Sequence, residues 1–222
     1  MPTVTASVII NRAATALQDA TSVRWPRAEL LGYINDGQRE VVLKKPNAYV
    51  IHSQAPLIAG TRQRLPKTDG AVAIDPIQLI EIPRNSTGRA IRIIERDMLD
   101  ALNADWHNAP ETLLVQHYCY SALDPKVFWV YPPNNALGCV DVVCSATPPA
   151  IATEGGLTSL DDIYQGALLD YAIFRAWSKD AEYASDPARA AAHYAAFANA
   201  LGVKAGFEIA ASPTAVAQSR RA

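Results

Sequence analysis

Proline residues punctuate the middle of this 222-residue chain and limit what it can fold into. A proline inside an α-helix removes a hydrogen bond and clashes with the preceding turn, at a cost of about 3 kcal/mol. Long helices are therefore excluded across much of residues 48–149, where prolines stand at positions 56, 66, 76, 83, 110, 125, 132, 133, 148 and 149. The flanking segments carry few prolines, so they can form long helices.

Short runs rich in β-branched and aromatic residues lie between these prolines. They predict strands over residues 49–54, 78–82, 90–94, 113–120, 127–130 and 139–144. Residues 85–88 (NSTG) and 124–126 (DPK) have the composition of turns. A short helix is predicted over residues 96–103, with its inner side formed by Met98, Leu99 and Leu102. We therefore expect a small antiparallel β unit, either a sandwich or an open barrel.

The N-terminal segment has the periodicity of two helices. Residues 3–18 carry an apolar stripe at helical spacing, made by Ile9, Ala13, Ala16 and Leu17. A second helix is predicted to start at Pro26, because proline suits the first turn. It is predicted to end before Pro46, whose ring disfavours helix in the preceding residue.

The C-terminal segment returns to helical spacing after Gly156. Ser159 and Asp162 have the spacing of a capping box. An aromatic-rich stripe follows, formed by Ile163, Ala167, Tyr171, Phe174 and Trp177. Asp186 is predicted to cap a last helix that begins at Pro187 and stops at Gly202.

These patterns predict an α+β fold, in which the N- and C-terminal helices form one bundle and an antiparallel β domain is inserted between them. Neither end can bury its apolar stripe alone, so the two ends need each other. The predicted parts are an N-terminal helical hairpin (1–47), the β domain (48–150), C-terminal helices that complete the bundle (151–202) and an extended C-terminal arm (203–222), which is either a frayed tail or a segment that orders only on a partner.

Composition and charge narrow the class of protein. Half of the residues are hydrophobic and the formal net charge is −2, so we expect a folded protein with no global attraction to nucleic acid or anionic lipid. The three cysteines form no pairing motif, which favours small buried thiols in a reducing compartment. We see no leader peptide and no apolar run of bilayer length, and therefore expect a soluble protein made in a cytoplasm.

We find no constellation typical of catalysis or cofactor binding. The four histidines lack metal-ligand spacing, and phosphate-loop and nucleophile motifs are missing. We therefore predict no enzyme activity, no metal and no cofactor. Two basic clusters occur, Arg62, Arg64 and Lys67 in one and Arg84, Arg89, Arg92 and Arg96 in the other. They contain no interleaved aromatic residues for base stacking, which favours a solvated surface.

Both ends of the chain resemble the head–tail adaptor proteins of short-tailed bacteriophages, also called connector or tail tubular proteins. At the N-terminal end the similar residues are 17–19 (LQD), 23–25 (VRW), 29–31 (ELL) and 34–40 (INDGQRE). At the C-terminal end they are 168–171 (LLDY), 175–176 (RA), 179–180 (KD), 183–184 (YA), Asp186, 189–190 (RA), 193–194 (HY) and Phe197. Their order around a β middle is the main argument for the resemblance.

The resemblance implies a structural virion protein that is assembled in the host cytoplasm. Such an adaptor forms a ring, twelve copies being expected, which joins the portal protein to the tail nozzle and extends the channel for viral DNA without binding it specifically. It implies no membrane. The arm is expected to contact the portal through Phe207, Ile209, Val216, Arg220 and Arg221. Contacts with neighbouring subunits or the nozzle are expected at Arg84, Arg89, Arg92 and Trp129.

Two other interpretations stay open at this point. A neck or stopper protein that closes the channel would need a long loop, and residues 57–67 and 103–110 are long enough to consider. A ligand-binding protein or an enzyme would need polar groups that converge in the β domain around His107, His117 and Tyr118.

Overall fold

The computed structural model describes residues 2–70, 72–179 and 186–211, with side chains up to Gly202. It confirms the α+β class, with helices towards both ends of the chain and strands in the middle. The helices of this described part are α1 (Ala6–Ala16), α2 (Arg27–Lys44), α3 (Arg96–Leu102), α4 (Gln165–Ser178) and α5 (Pro187–Ala211).

The strands occupy most of the segment between α2 and α4. Several are short and lie between turns or bulges. Their bounds are β1 (Val50–Pro56), β2 (Gly60–Arg64), β3 (Thr68–Asp69), β4 (Val72–Ala73), β5 (Pro76–Asn85), β6 (Arg92–Ile93), β7 (His117–Tyr120), β8 (Val127–Asn134) and β9 (Cys139–Ala146).

The chain divides into two compact units. A helical unit is built from Met1–Ala48 together with Pro148–Ala222, and a β unit is built from Tyr49–Thr147. The chain therefore leaves the helical unit once and returns to it once, which is the arrangement of an inserted domain.

Helix α4 organises the helical unit, since α1, α2 and α5 all pack against it. Its buried face carries Leu168, Tyr171 and Ala172, and Phe197 of α5 lies 5.2 Å from Tyr171, measured between ring centroids. The predicted stripe is correct from Ala167 onward but wrong at its start, because Ile163 is 68% exposed. Residues 162–164 form a 3-10 turn, which changes the helical phase and buries Tyr164 instead.

The segment that returns from the β unit is bonded to the start of the chain. The Asp162 carboxylate accepts hydrogen bonds from the hydroxyl and the amide of Thr3 and from the amide of Val4. These bonds lower the pKa of Asp162. The predicted capping box is therefore wrong, since the Ser159 hydroxyl donates to the Pro149 carbonyl instead. Asp162 therefore bonds residues near the N-terminus instead of capping a helix.

The β unit contains two main sheets that enclose one core. One sheet has the strand order β1-β9-β5 and the other β2-β8-β7-β6. Inward-facing residues of both sheets meet in a single cluster, among them Ile82, Phe128, Val130, Val140 and Val142. This is the layered packing expected of a sandwich.

The sheets are not wholly antiparallel, because β6 pairs with β7 in parallel. Parallel neighbours need a crossover connection, and α3 together with residues 103–116 supplies it. The predicted inner side of α3 is only partly correct: Leu99 is buried, but Met98 and Leu102 are 55% and 74% exposed. Among the residues of α3, Leu99 alone is buried.

The last helix is longer than the sequence predicted. Asp186 caps α5 as expected, its carboxylate accepting a hydrogen bond from the Arg189 amide at 3.0 Å. The helix then continues through Gly202 to Ala211, so the predicted stop at Gly202 is wrong. The arm predicted from residue 203 is therefore helical in backbone over its first nine residues, up to Ala211.

Candidate assembly surfaces

Three of the residues predicted to contact a neighbouring subunit or the nozzle lie on one hairpin of the β unit, in which Arg84 bridges to Ala90. Arg84 lies on the outer face of the first sheet, where its Nε donates to the Asp141 carboxylate at 2.6 Å. Arg89 follows in the next turn and Arg92 lies on β6, and both are exposed. The basic charge of this cluster is thus partly neutralised, because Arg84 is already paired with an acid.

Trp129 belongs to an aromatic layer on the outer face of the second sheet. It is half-buried and packs against the cluster of Leu99, Trp106 and Cys119. The Arg96 guanidinium lies 5.4 Å from the centre of the Trp129 ring. Much of this side chain is therefore used within its own subunit, and the predicted contact would involve only its exposed part.

The polar groups expected of an enzyme site do not converge. Tyr118 points into the sandwich core, whereas its neighbour His117 stacks on Tyr131 with ring centroids 6.4 Å apart. Successive side chains of a strand point to opposite faces, so His117 and Tyr118 lie on different sides of the sheet. His107 stacks on Trp106 and its Nδ1 bonds the Thr61 hydroxyl at 2.8 Å. Tyr118 is thus separated from His117, and each histidine lies against an aromatic ring.

The cysteines are free thiols, two of them buried. Burial raises the pKa of both the Cys119 and the Cys144 thiol, which disfavours the reactive thiolate. Across the residues whose side chains are described, no three histidines, cysteines or acids group as metal ligands.

The loops considered for a stopper are structured. Residues 57–67 contain β2, and the buried Gln63 amide within it bonds the Ile58 and Gly60 carbonyls. Residues 103–110 contain a 3-10 turn in which Trp106 is fully buried and donates to Asp100 at 2.7 Å. Both segments are held in the structure by these hydrogen bonds.

An exposed apolar group that the sequence analysis missed lies at one end of the β unit. We call it the apolar tip, and it consists of Ile58, Leu113 and Leu137, which are 63%, 46% and 77% exposed. The loops that carry them are joined directly. The Leu57 backbone amide donates to the Gly138 carbonyl at 2.9 Å, and the Asn134 side-chain amide donates to the Leu113 carbonyl at 3.1 Å.

Buried amide side chains hold the apolar tip in place. Asn134 is fully buried, and its Oδ1 accepts a bond from the Gly138 amide at 3.1 Å. Gln63 is 2% exposed, and its Oε1 accepts one from the Ile58 amide at 2.8 Å. Exposed aliphatic side chains on loops that are joined in this way form a candidate interaction surface.

Residues 4–218, which run through both units, match the family model described as SU10 adaptor protein. The chain belongs to the SU10 adaptor protein family. The resemblance to phage head-to-tail adaptors drawn from the two ends of the sequence is thereby confirmed, and the match also covers the β middle. A search of curated proteins gives no match.

Family membership makes this adaptor a structural protein of the phage virion, located where head and tail proteins meet. Its described helices include none that is long and apolar enough to cross a bilayer. Of the residues predicted for portal contact, Phe207 and Ile209 lie on the C-terminal part of α5, with side chains outside the described residues. Val216, Arg220 and Arg221 lie outside the described residues altogether.

Proposed function

We propose that this adaptor forms a ring, of twelve copies, that joins the portal to the tail nozzle and extends the DNA channel. The observation that carries the proposal is the family match over residues 4–218, because it includes the helical ends and the β unit in one adaptor. A ring requires each copy to present two different complementary surfaces. A chain with two compact units can present both.

The portal contact is assigned to the C-terminal part of the chain. Helix α5 is 25 residues long, whereas the neighbouring α4 has 14. Helical length beyond the partner helix supports a role outside the subunit's own core. In this proposal Phe207, Ile209 and Val216 supply apolar contacts, and Arg220 and Arg221 supply charge.

Contacts with ring neighbours or the nozzle are assigned to the β unit. Arg89 and Arg92 are exposed there, and Arg84 and Trp129 retain exposed surface beside their internal partners. The apolar tip adds the aliphatic side chains that bury well in a protein interface. Apolar anchors with charged residues elsewhere on the same unit are consistent with a specific protein contact.

The viral DNA is proposed to pass without specific binding. Each copy has a formal net charge of −2, so a ring of twelve would carry about −24. A mildly acidic assembly repels the phosphate backbone, which favours sliding. Retention of duplex DNA by the purified ring at physiological salt would contradict this assignment.

Co-elution with the purified portal protein of the same phage tests the proposal. The full chain should elute with the portal on size exclusion, and a chain truncated after Gly202 should elute separately. The truncated chain must keep the thermal melting curve of the full chain, because α5 up to Gly202 retains Ala190, Phe197 and Leu201 in the core. Undiminished docking of the truncated chain would remove the arm from the portal contact, and failure of the full chain to bind would refute the adaptor role in this form.

A further inference from the structure

Four strand edges terminate the two main sheets, and three of them are blocked against pairing with another chain. Strand β5 carries Pro76 and Pro83, and its register with β9 shifts three times. Strand β2 has an irregularity between Gly60 and Arg62 and a charged outer face. Strand β6 has only two residues. Prolines, bulges, charges and short length are the usual protections of sheet edges.

The fourth edge, β1, lacks these protections. It pairs with β9 in unbroken register over seven residues, from Val50 opposite Ser145 to Pro56 opposite Cys139. It contains no charged residue, and its proline stands at its last position. Among the described residues, β1 is bonded to β9 alone. A long, regular and uncharged edge is a template for a further strand.

The backbone groups that face this free edge follow from the hydrogen bonds at its ends. The Ala146 amide donates to the Tyr49 carbonyl, and the Leu57 amide to the Gly138 carbonyl. Bonded and non-bonded positions alternate in an antiparallel pair. The odd-numbered residues of β1 therefore bond β9, and the amides and carbonyls of Val50, His52 and Gln54 point away from it.

We propose that β1 pairs with β1 of a second copy about a two-fold axis. In the best register His52 faces His52 of the second copy, while Val50 faces Gln54 and Gln54 faces Val50. Three opposed pairs give about six backbone hydrogen bonds, with no amide opposite a proline. Strand β1 contains no lysine, arginine, aspartate or glutamate, so none of these charges opposes itself in the pair, and the His52 and Gln54 side chains are exposed.

This dimer belongs to the free protein and goes beyond the ring proposed above. A two-fold contact uses the same surface on both copies, whereas a cyclic ring uses two different surfaces. The β1 pair would therefore hold unassembled copies apart from the ring and would open when the portal recruits them.

Sedimentation velocity over a concentration series tests the pairing. The wild-type protein should form a dimer. His52→Lys and His52→Asp each place like charges opposite each other at the centre of the pair, and should weaken self-association about tenfold or more. An equal mixture of the two variants should restore the dimer, because lysine then faces aspartate. Gln116→Lys and Gln116→Asp, at an exposed site outside the strands, are the matched controls and should stay dimeric.

The outcomes separate this proposal from the ring. A wild-type protein that is monomeric throughout, or dimers unaffected by both His52 variants, would overturn the pairing whatever the portal assay gives. Both His52 variants should still co-elute with the portal. If the wild type is monomeric and the variants lose binding to the portal or nozzle protein, the β1 edge takes a strand from that virion partner, and the two-fold pairing is wrong.

Discussion

Buried asparagine and glutamine side chains fix the position of several loops in this protein by hydrogen bonds. Asn85 is 1% exposed, and its side chain bonds both the amide and the carbonyl of Val115. Gln38 is also 1% exposed, and its Oε1 accepts a bond from the Ser159 amide at 2.7 Å. Such bonds satisfy backbone groups where no strand or helix supplies a partner.

These residues explain why part of the candidate surface escaped prediction. Asparagine and glutamine are exposed in most positions, so a sequence pattern assigns them to the outside. Here Gln63 and Asn134 are buried and fix the loops of the apolar tip. The aliphatic residues of the tip are exposed, although a hydropathy pattern predicts that they are buried. For Asn134 the local sequence does not distinguish the two cases, because two of its bonding partners, Thr112 and Leu113, come from a distant part of the chain.

Gln38→Met tests the role of a buried amide. Methionine keeps the length and burial of the side chain but leaves the Ser159 amide without its acceptor. We expect a loss of about 1–3 kcal/mol in the free energy of unfolding, measured by urea denaturation followed through the helical circular dichroism. The same exchange at exposed Gln116 should cost much less, and equal effects would contradict the assigned bond.

Asp162→Asn tests the bonds that join the return segment to the N-terminus. Since the pKa of Asp162 is lowered in the folded protein, the folded state binds fewer protons than the unfolded state, and its stabilising effect is lost as the pH falls. The wild type should therefore be more stable than the variant at neutral pH, with the difference shrinking below about pH 4. A difference that stays constant down to acid pH would refute the ionic character of these bonds.

Elements were predicted well where periodicity is strong and less well where a polar residue is buried. Helices α1 and α2 and strand β9 lie within a few residues of their predicted bounds. Strand β2 was missed because its sequence, GTRQR, reads as polar, although Thr61 and Gln63 alternate inward with Leu65. The sequence contained this alternation, but a buried glutamine concealed it.

Helix α5 shows how a glycine misleads. Gly202 was predicted to end the helix, yet the helix continues, and a β-carbon added there would meet no atom of the described residues within 4 Å.

Gly202→Ala separates the two interpretations of this position. A continuous helix should gain about 0.5–1 kcal/mol in the free energy of unfolding, because alanine loses less backbone entropy. Thermal melting gives the measurement. Gly88→Ala is the control, since its φ of +103° disfavours alanine, and it should be destabilised. A loss of stability at Gly202 would support a helix that ends there.

At the scale of the whole molecule, the arrangement of an inserted β domain was predictable and the chemistry of its surfaces was not. Prolines excluded long helices from the middle, and the apolar stripes of the ends required each other. Surface chemistry depends on which segments meet in space, as the pairing of Arg84 with Asp141 and the bond between Leu57 and Gly138 show.

The adaptor role predicts a ring that forms against another ring. Electron microscopy of the purified protein mixed with the portal protein of its phage tests this claim most directly. We expect an added ring on one end of each portal particle, with twelve adaptor copies resolved by rotational averaging. Portal particles without added density, beside adaptor that is unchanged by the portal, would contradict the account.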